Sequence, residues 1–196
     1  LAIALELANH GCDVAVCSRT KQLVNSAVKK IKSKGVKCIG GIVDVLNYKD
    51  ITKFSRHVID EWKTVHILIN NVGGGGRWGK ESVVDTPGYT WSEVYDKNAG
   101  AAIRFSRLII PFMQTQKWGR VVTISSIVSR EAEGRPWYIV AKGAEVSLMK
   151  SLSVRKELAR DNLTFNTVSP GAIMIPNTGW EKEKEKDPQA FQEMLD

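Results

Sequence analysis

The chain has 196 residues, 43% apolar and 25% charged, near the average for soluble globular proteins, which excludes an intrinsically disordered chain and a disulfide scaffold. Lys plus Arg exceed Asp plus Glu by 28 − 21 = +7, a balance that suits an anionic partner such as a phosphorylated cofactor, an acyl carrier or nucleic acid, without choosing among them. No run approaches the roughly 18 apolar residues of a membrane span, no export signal opens the chain, and Cys12, Cys17 and Cys38 form no CxxC, so membrane insertion, disulfides and a metal centre are not expected and a reduced cytoplasm is the simplest setting.

Residues 1–9 place Leu1, Leu5 and Ala8 at helical spacing and stop at His10-Gly11, so the chain opens inside a helix. Asp13 to Cys17 predicts a short buried strand, Gln22 to Lys34 a basic amphipathic helix closed by Gly35, and Val36 to Val43 a second strand. Asp50 to Trp62 puts Ile51, Phe54, Val58 and Ile59 on one helical face, and Val65 to Ile69 is again a buried strand. A long helix over Trp91 to Met113, a strand over Arg120 to Ser125, a second long helix over Trp137 to Arg160 and a strand over Leu163 to Val168 complete the pattern. Strands alternating with helices of this length predict right-handed βαβ units, hence an α/β, doubly wound parallel sheet forming one domain over 1–196. The run EKEKEK at 181–186 reads as a solvated helix face with i,i+3 ion pairs. The lysines at 29, 30, 32, 34 and 37 lack interleaved aromatic residues, and no nucleic-acid partner is expected.

In such sheets ligands bind beyond the carboxyl ends of the strands. The residues there are Ser18-Arg19, Asp44-Val45, Asn70-Asn71-Val72-Gly73, Ser125-Ser126 and Ser169-Pro170-Gly171, nearly all polar or Gly. Tyr138 and Lys142, four apart at a helix start favoured by Pro136, share one face, and an ammonium beside a phenol lowers its pKa toward the range of a working acid or base. Ser18-Arg19-Thr20 carries no acid, whereas a carboxylate there would bind a ribose diol and an Arg would pair with a 2′-phosphate, so NADP(H) is favoured over NAD(H).

Taken in order, NNVG, Asn98, the VVTISS strand ending in Ser126, YxxxK and VSPG resemble the short-chain dehydrogenase/reductase family over almost the whole chain, in particular its 3-oxoacyl-[acyl-carrier-protein] reductases. The resemblance implies a Rossmann fold and a catalytic tetrad of Asn98, Ser126, Tyr138 and Lys142. In it Tyr138 exchanges a proton with the substrate oxygen, Ser126 holds that oxygen, Lys142 lowers the Tyr138 pKa and binds the nicotinamide ribose, and Asn98 holds a relay water. Ser125 is the rival hydroxyl, and family spacing favours Ser126. The resemblance also implies cofactor contacts from Ser18, Arg19, Asp44, Val45, Asn71, Tyr138, Lys142, Pro170, Gly171 and Ile173. Asp44 would accept from the adenine amino group and Val45 would flank the ring. The expected substrate is a small carbonyl or alcohol compound, free or carrier-linked. The two long helices resemble those of the family's four-helix interface, implying a homodimer or homotetramer. A non-catalytic cofactor-binding or scaffold protein is the competing expectation.

The chain departs from the family pattern in two places. The family's Gly-rich phosphate loop and first strand precede the helix at which this sequence opens, and another helix and strand would follow Asp196, so an internal fragment of a longer enzyme is expected, with its sheet opened in the middle. Where a Thr commonly contacts the carboxamide, Ile175 stands, with Thr178 as a substitute hydroxyl. Residues 176–196 would form a substrate lid. Trp78, Trp137 and Trp180 either line an apolar substrate pocket or pack against loops, while Trp62 and Trp91 are expected in the core. Gly73 to Gly76 is read as a cleft edge rather than a phosphate loop.

Overall fold

In the computed structural model, residues 1–196 are described apart from 76–77, 81, 132–133, 172, 174–178 and 194–196. Helix α1 (Ala2–Asn9) leads into β1 (Val14–Ser18), α2 (Lys21–Lys32), β2 (Cys38–Ile42), α3 (Tyr48–Trp62) and β3 (Ile67–Asn70). Then come α4 (Gly88–Tyr95), a π-helical segment (Asp96–Gly100), α5 (Ala101–Thr115), β4 (Gly119–Ile124) and a 3₁₀ turn (Ile127–Ser129). The chain continues with α6 (Pro136–Ser153), α7 (Lys156–Arg160), β5 (Leu163–Val168), α8 (Gly179–Lys186) and α9 (Pro188–Glu193).

Every described strand pairing is parallel: β1 with β2, β3 with β4, and β4 with β5. The order β1-β2 and β3-β4-β5 is that of a doubly wound sheet whose halves stand apart. The free edges of β1 and β3 both border a cleft of about 1710 Å³, which α1 also lines. The expected opening in the middle of the sheet is thus present.

Local chemistry sets the element ends. Asn47 caps α3 by accepting the Lys49 N–H at 3.0 Å, satisfying a donor the helix itself leaves free. Ile51, Ser55, Val58 and Ile59 form the buried stripe of α3, and Lys63 ends it in the left-handed region (φ 59°), its N–H reaching the Ile59 carbonyl. Pro136 opens α6 at a position where a missing N–H costs nothing.

Two expected helices are subdivided. The segment read as one helix from Trp91 to Met113 begins at Gly88 and passes through the π segment, and the helix read to Arg160 ends at Ser153, with α7 a separate turn. Trp62 and Trp91 are only partly buried, whereas Trp137 is 1% exposed and packs with Val94 and Ala141. Trp137 therefore belongs to the core, not to a pocket wall. Ile175 and Thr178 lie outside the described residues.

Met113, Val121, Met149, Leu163 and Phe165 anchor the largest apolar cluster, where α5 and α6 meet β4 and β5. Met113 is fully buried, so Met113→Ala is expected to lower stability by about 2–5 kcal/mol through lost burial plus the cavity left behind. Urea unfolding monitored by circular dichroism checks this, and a midpoint equal to wild type would contradict it.

Candidate active site

Parallel strands place their carboxyl ends on one side, and the loops after β1, β2 and β3 close around a cleft of about 360 Å³, within the usual range of about 300–1,000 Å³ for small-molecule sites. Ser18, Arg19, Asp44, Val45 and Asn71, all expected to contact a cofactor, line it together. Lys97 lines it as well, a residue the sequence reading passed over although it adjoins Asn98. Its ammonium stacks 4.2 Å from the Trp78 ring centroid. Burial first, and then the Arg19 cation, push the Lys97 amine below the usual lysine value. Two cations thus share this cleft.

The cleft walls are held by their own backbone chemistry. Asp44 Oδ1 accepts the Leu46 N–H at 3.0 Å, and Ser18 Oγ accepts the Thr20 N–H at 3.2 Å. Arg104 donates to the Val45 carbonyl at 3.1 Å and to Asp96 Oδ1 at 2.7 Å, tying the loop after β2 to the π segment. Cys17, also in the wall, has its thiol pushed up to about 11 by burial, so it stays protonated and is no nucleophile at neutral pH.

Gly73 joins this cleft to the tetrad residues. A Cβ at Gly73 would sit 2.8 Å from Asn98 Oδ1 and 2.9 Å from Lys142 Nζ, so only a glycine lets these two side chains approach the loop so closely. Asn98, fully buried, donates from Nδ2 to the Gly74 carbonyl at 2.8 Å and accepts the Gly74 N–H at 3.1 Å. The glycine segment is thus the inner wall of the site, clamped by Asn98, and not merely its edge. Gly76 lies outside the described residues.

Tyr138 and Lys142 emerge together from the first turns of α6, as their spacing requires. Ser126 hydrogen-bonds the Tyr138 hydroxyl, while Ser125 is buried with its Oγ donating to the Lys142 carbonyl at 2.9 Å. Ser126 rather than Ser125 therefore stands beside the phenol. Lys142 is 3% exposed; its ammonium donates to the Ile124 carbonyl at 3.1 Å and to Glu145 Oε2 at 3.0 Å, and lies 5.8 Å from the Tyr138 ring centroid.

The surroundings of the phenol add two influences that the Tyr138–Lys142 spacing did not register. Burial, and secondarily the Glu145 carboxylate, hold the Tyr138 pKa above the usual phenol value, with only the Ser126 hydrogen bond opposing them. Glu145 is 1% exposed and was missed because, on a helix read as apolar-faced, a single Glu looks solvated. Its signal was the i,i+3 spacing from Lys142. Burial raises the Glu145 pKa, and the Lys142 ammonium, by its charge and its hydrogen bond, draws it back down.

After β5, the Pro170 carbonyl accepts the Ile127 N–H at 2.9 Å, so Pro170 and Gly171 border the Ser126 turn. Ile173 is exposed and lines the large cleft between the half-sheets instead. Trp78 and Trp91 pack with Tyr138 around buried Trp137, and Trp91 meets Trp137 edge-on at 5.6 Å.

A parallel α/β sheet with Ser, Tyr and Lys converging beside a nucleotide-sized cleft at its carboxyl edge defines a Rossmann-fold protein of the short-chain dehydrogenase type. The family profile for "short chain dehydrogenase" matches residues 1–188, and the chain belongs to that family of oxidoreductases. It is 28% identical over 189 residues to the 3-oxoacyl-[acyl-carrier-protein] reductase FabG of Staphylococcus epidermidis, covering 95% of this chain and 75% of that protein. Among solved structures, NAD+-bound xylitol dehydrogenase superposes with a TM-score of 0.84 at 25% identity, covering 96% of this chain and 70% of that one. L-Sorbose reductase from Gluconobacter frateurii, complexed with NADPH and L-sorbose, superposes at 0.86 over 99% of this chain and 73% of that one; at 24% identity it speaks for the fold alone. The chain spans 61–67% of the length of several curated relatives that it matches at about 30% identity.

Proposed function

We propose that residues 1–196 form a single dinucleotide-binding domain of an NADP(H)-dependent oxidoreductase that interconverts a ketone or 3-oxoacyl group with a secondary alcohol. The observation that carries this reading is the convergence on Gly73, where Asn98 and Lys142 meet the end of a cleft holding Arg19 and Lys97. Two features of the cleft support a phosphorylated dinucleotide: its polar lining at the carboxyl ends of the strands, and the two cations Arg19 and Lys97, which would attract a 2′-phosphate. A relative named as a 3-oxoacyl-[acyl-carrier-protein] reductase supports a 3-oxoacyl substrate, free or carrier-linked. The dimer or tetramer implied by the resemblance would set α5 and α6 against a second copy.

The bound nicotinamide would supply or accept a hydride. Ser126 would hold the substrate oxygen and Tyr138 would give it a proton, or take one from an alcohol. Lys142 would bind the nicotinamide ribose, and Asn98 keeps the glycine segment in place. Arg19, with Ser18 beside it, would take the 2′-phosphate, and Asp44 and Val45 the adenine. Asn71, Pro170, Gly171 and Ile173 complete the proposed contacts.

The test is absorbance at 340 nm with NADPH or NADH and a carbonyl panel headed by ethyl acetoacetate. NADPH oxidation with little NADH oxidation is expected. No consumption of either by the full-length protein across the panel would overturn the reading in favour of a non-catalytic cofactor-binding protein. Arg19→Asp is expected to cut the NADPH-over-NADH preference about 10- to 100-fold, the worth of one charge-assisted contact. An unchanged ratio of kcat/KM would remove Arg19 from cofactor selection.

A further inference from the structure

The loop between β2 and α3 carries Asp44 and Val45, and its polar groups are held from two sides. From the α3 side, Asp50 Oδ2 accepts the Asp44 N–H at 3.2 Å, and the Asp44 carbonyl accepts the Asn47 N–H at 2.9 Å. From the α5 side, Arg104 donates from its guanidinium to the Val45 carbonyl at 3.1 Å. That carbonyl belongs to the same planar peptide as the Leu46 N–H, which donates to Asp44 Oδ1 at 3.0 Å. Arg104 therefore grips one end of a rigid unit whose other end fixes the Asp44 carboxylate. Among the described residues no group donates to Asp44 Oδ2 and none accepts the Val45 N–H, so an acceptor and a donor stand side by side in the wall of the cleft.

The guanidinium is itself anchored. Its other nitrogen donates to Asp96 Oδ1 at 2.7 Å, an ion pair that ties α5 to the π segment. Asp96, Gly100 and Arg104 stand at i, i+4 and i+8, and a Cβ at Gly100 would lie 2.7 Å from Asp96 Oδ1 and 3.6 Å from Arg104 Cζ. The missing side chain at Gly100 is what lets the pair close across that turn.

We propose that Arg104 is a positioning residue for recognition of the cofactor's base: pinned by Asp96, it orients the Val45–Leu46 peptide and, through it, the Asp44 carboxylate. The inference rests on the proposed adenine contact of Asp44 and Val45. Adenine offers an amino donor at C6 beside the acceptor N1, which matches a carboxylate oxygen next to a backbone N–H. Hypoxanthine reverses both, with an oxygen at C6 and a proton on N1, so acceptor meets acceptor and donor meets donor. Discrimination between these two bases is thus the property that Arg104 controls, without touching either of them.

The deciding experiment is a fluorescence titration of the full-length protein with NADPH and with its hypoxanthine analogue, which reads affinity without turnover. Wild type is expected to bind NADPH about 10- to 100-fold more tightly, the effect of exchanging a charge-assisted hydrogen bond for a mismatch. Arg104→Met keeps the length of the stem and removes the fork, and is expected to cut that preference about tenfold, chiefly by weakening NADPH binding. Arg104→Lys keeps the charge but cannot span the carbonyl and Asp96 together, and its preference is expected between those of wild type and Arg104→Met. Gly100→Ala retains Arg104 but drives it from Asp96, and is expected to lower the preference as well. A structural role alone would lower thermal stability and weaken both cofactors by one factor; an undiminished preference in Arg104→Met would therefore overturn the assignment while leaving the adenine contact standing. If Arg104→Met does not fold, an undiminished preference in Gly100→Ala overturns it. Equal affinities in wild type, or binding of neither cofactor, would instead overturn the adenine contact of Asp44 and Val45, and the inference with it.

Discussion

Tyr138→Phe is expected to lower carbonyl reduction about 10²- to 10⁴-fold, the usual contribution of a positioned general acid, while leaving the fold and cofactor affinity in place. The selectivity follows from packing. The Tyr138 ring lies against the aromatic cluster of Trp78, Trp91 and Trp137, and Phe retains that ring while losing only the hydroxyl that meets Ser126. The pH dependence follows from the direction of its shift. With the pKa raised, the proton-donating form persists through neutral and moderately alkaline pH, so reduction holds steady and declines only as pH passes the raised value. Alcohol oxidation, which needs the phenolate, rises with pH across the same interval. Initial rates in both directions, with fluorescence titration of NADPH binding, provide the check; turnover by Tyr138→Phe within a few-fold of wild type would contradict the mechanism.

Gly73→Ala is the second change with a large expected effect, and it tests the architecture of the site rather than its chemistry. The new methyl would stand 2.8 Å from Asn98 Oδ1 and 2.9 Å from Lys142 Nζ. Neither can retreat easily. Asn98 is fully buried and bonded to Gly74 and Val94, and Lys142 is held by Glu145 and the Ile124 carbonyl. The backbone at 73–74 must move instead, breaking the reciprocal Asn98–Gly74 contact. The expectation is a loss of about 10²-fold in kcat/KM from misplacement of Lys142, with destabilisation of about 1–3 kcal/mol from overpacking. Steady-state kinetics and thermal unfolding measure the two effects, and a wild-type kcat/KM in Gly73→Ala would show that the close approach is dispensable.

Sheet and helices were legible because their signals are local. A strand such as Leu163 to Val168 announces itself by β-branched and apolar residues between turn-formers, and α3 by apolar residues at i, i+3, i+7 and i+8, namely Ile51, Phe54, Val58 and Ile59. The residues at the strand ends were legible because a parallel sheet gathers them on one side, whatever they do there. What the sequence hid are interactions that depend on which way a charged side chain turns. Glu145 and Lys97 each look like ordinary solvent-facing charges, yet one is buried against Lys142 and the other leans over Trp78. The direction of the Tyr138 shift was hidden for a related reason: spacing places the ammonium near the phenol but registers neither the burial of the ring, the larger cause, nor the carboxylate one turn further on.

The π segment at Asp96–Gly100 bears on how tolerant this region is to changes in chain length. Its wider, i→i+5 turn takes up an extra residue between α4 and α5, and Val94 before it, Asn98 within it, and Ala102 and Ser106 after it are all buried. The segment therefore acts as a phase shifter, letting α4 and α5 keep one buried stripe while Lys97 and Asn98 face neighbouring compartments. Deleting a single residue there would turn the two side chains out of step with the cleft and the tetrad, while α5 could still pack its remaining apolar face. Point substitutions in this stretch act on one contact; a one-residue deletion would break the alignment between cofactor recognition and proton transfer, which makes the length of this short segment as much a determinant of the site as any residue in it.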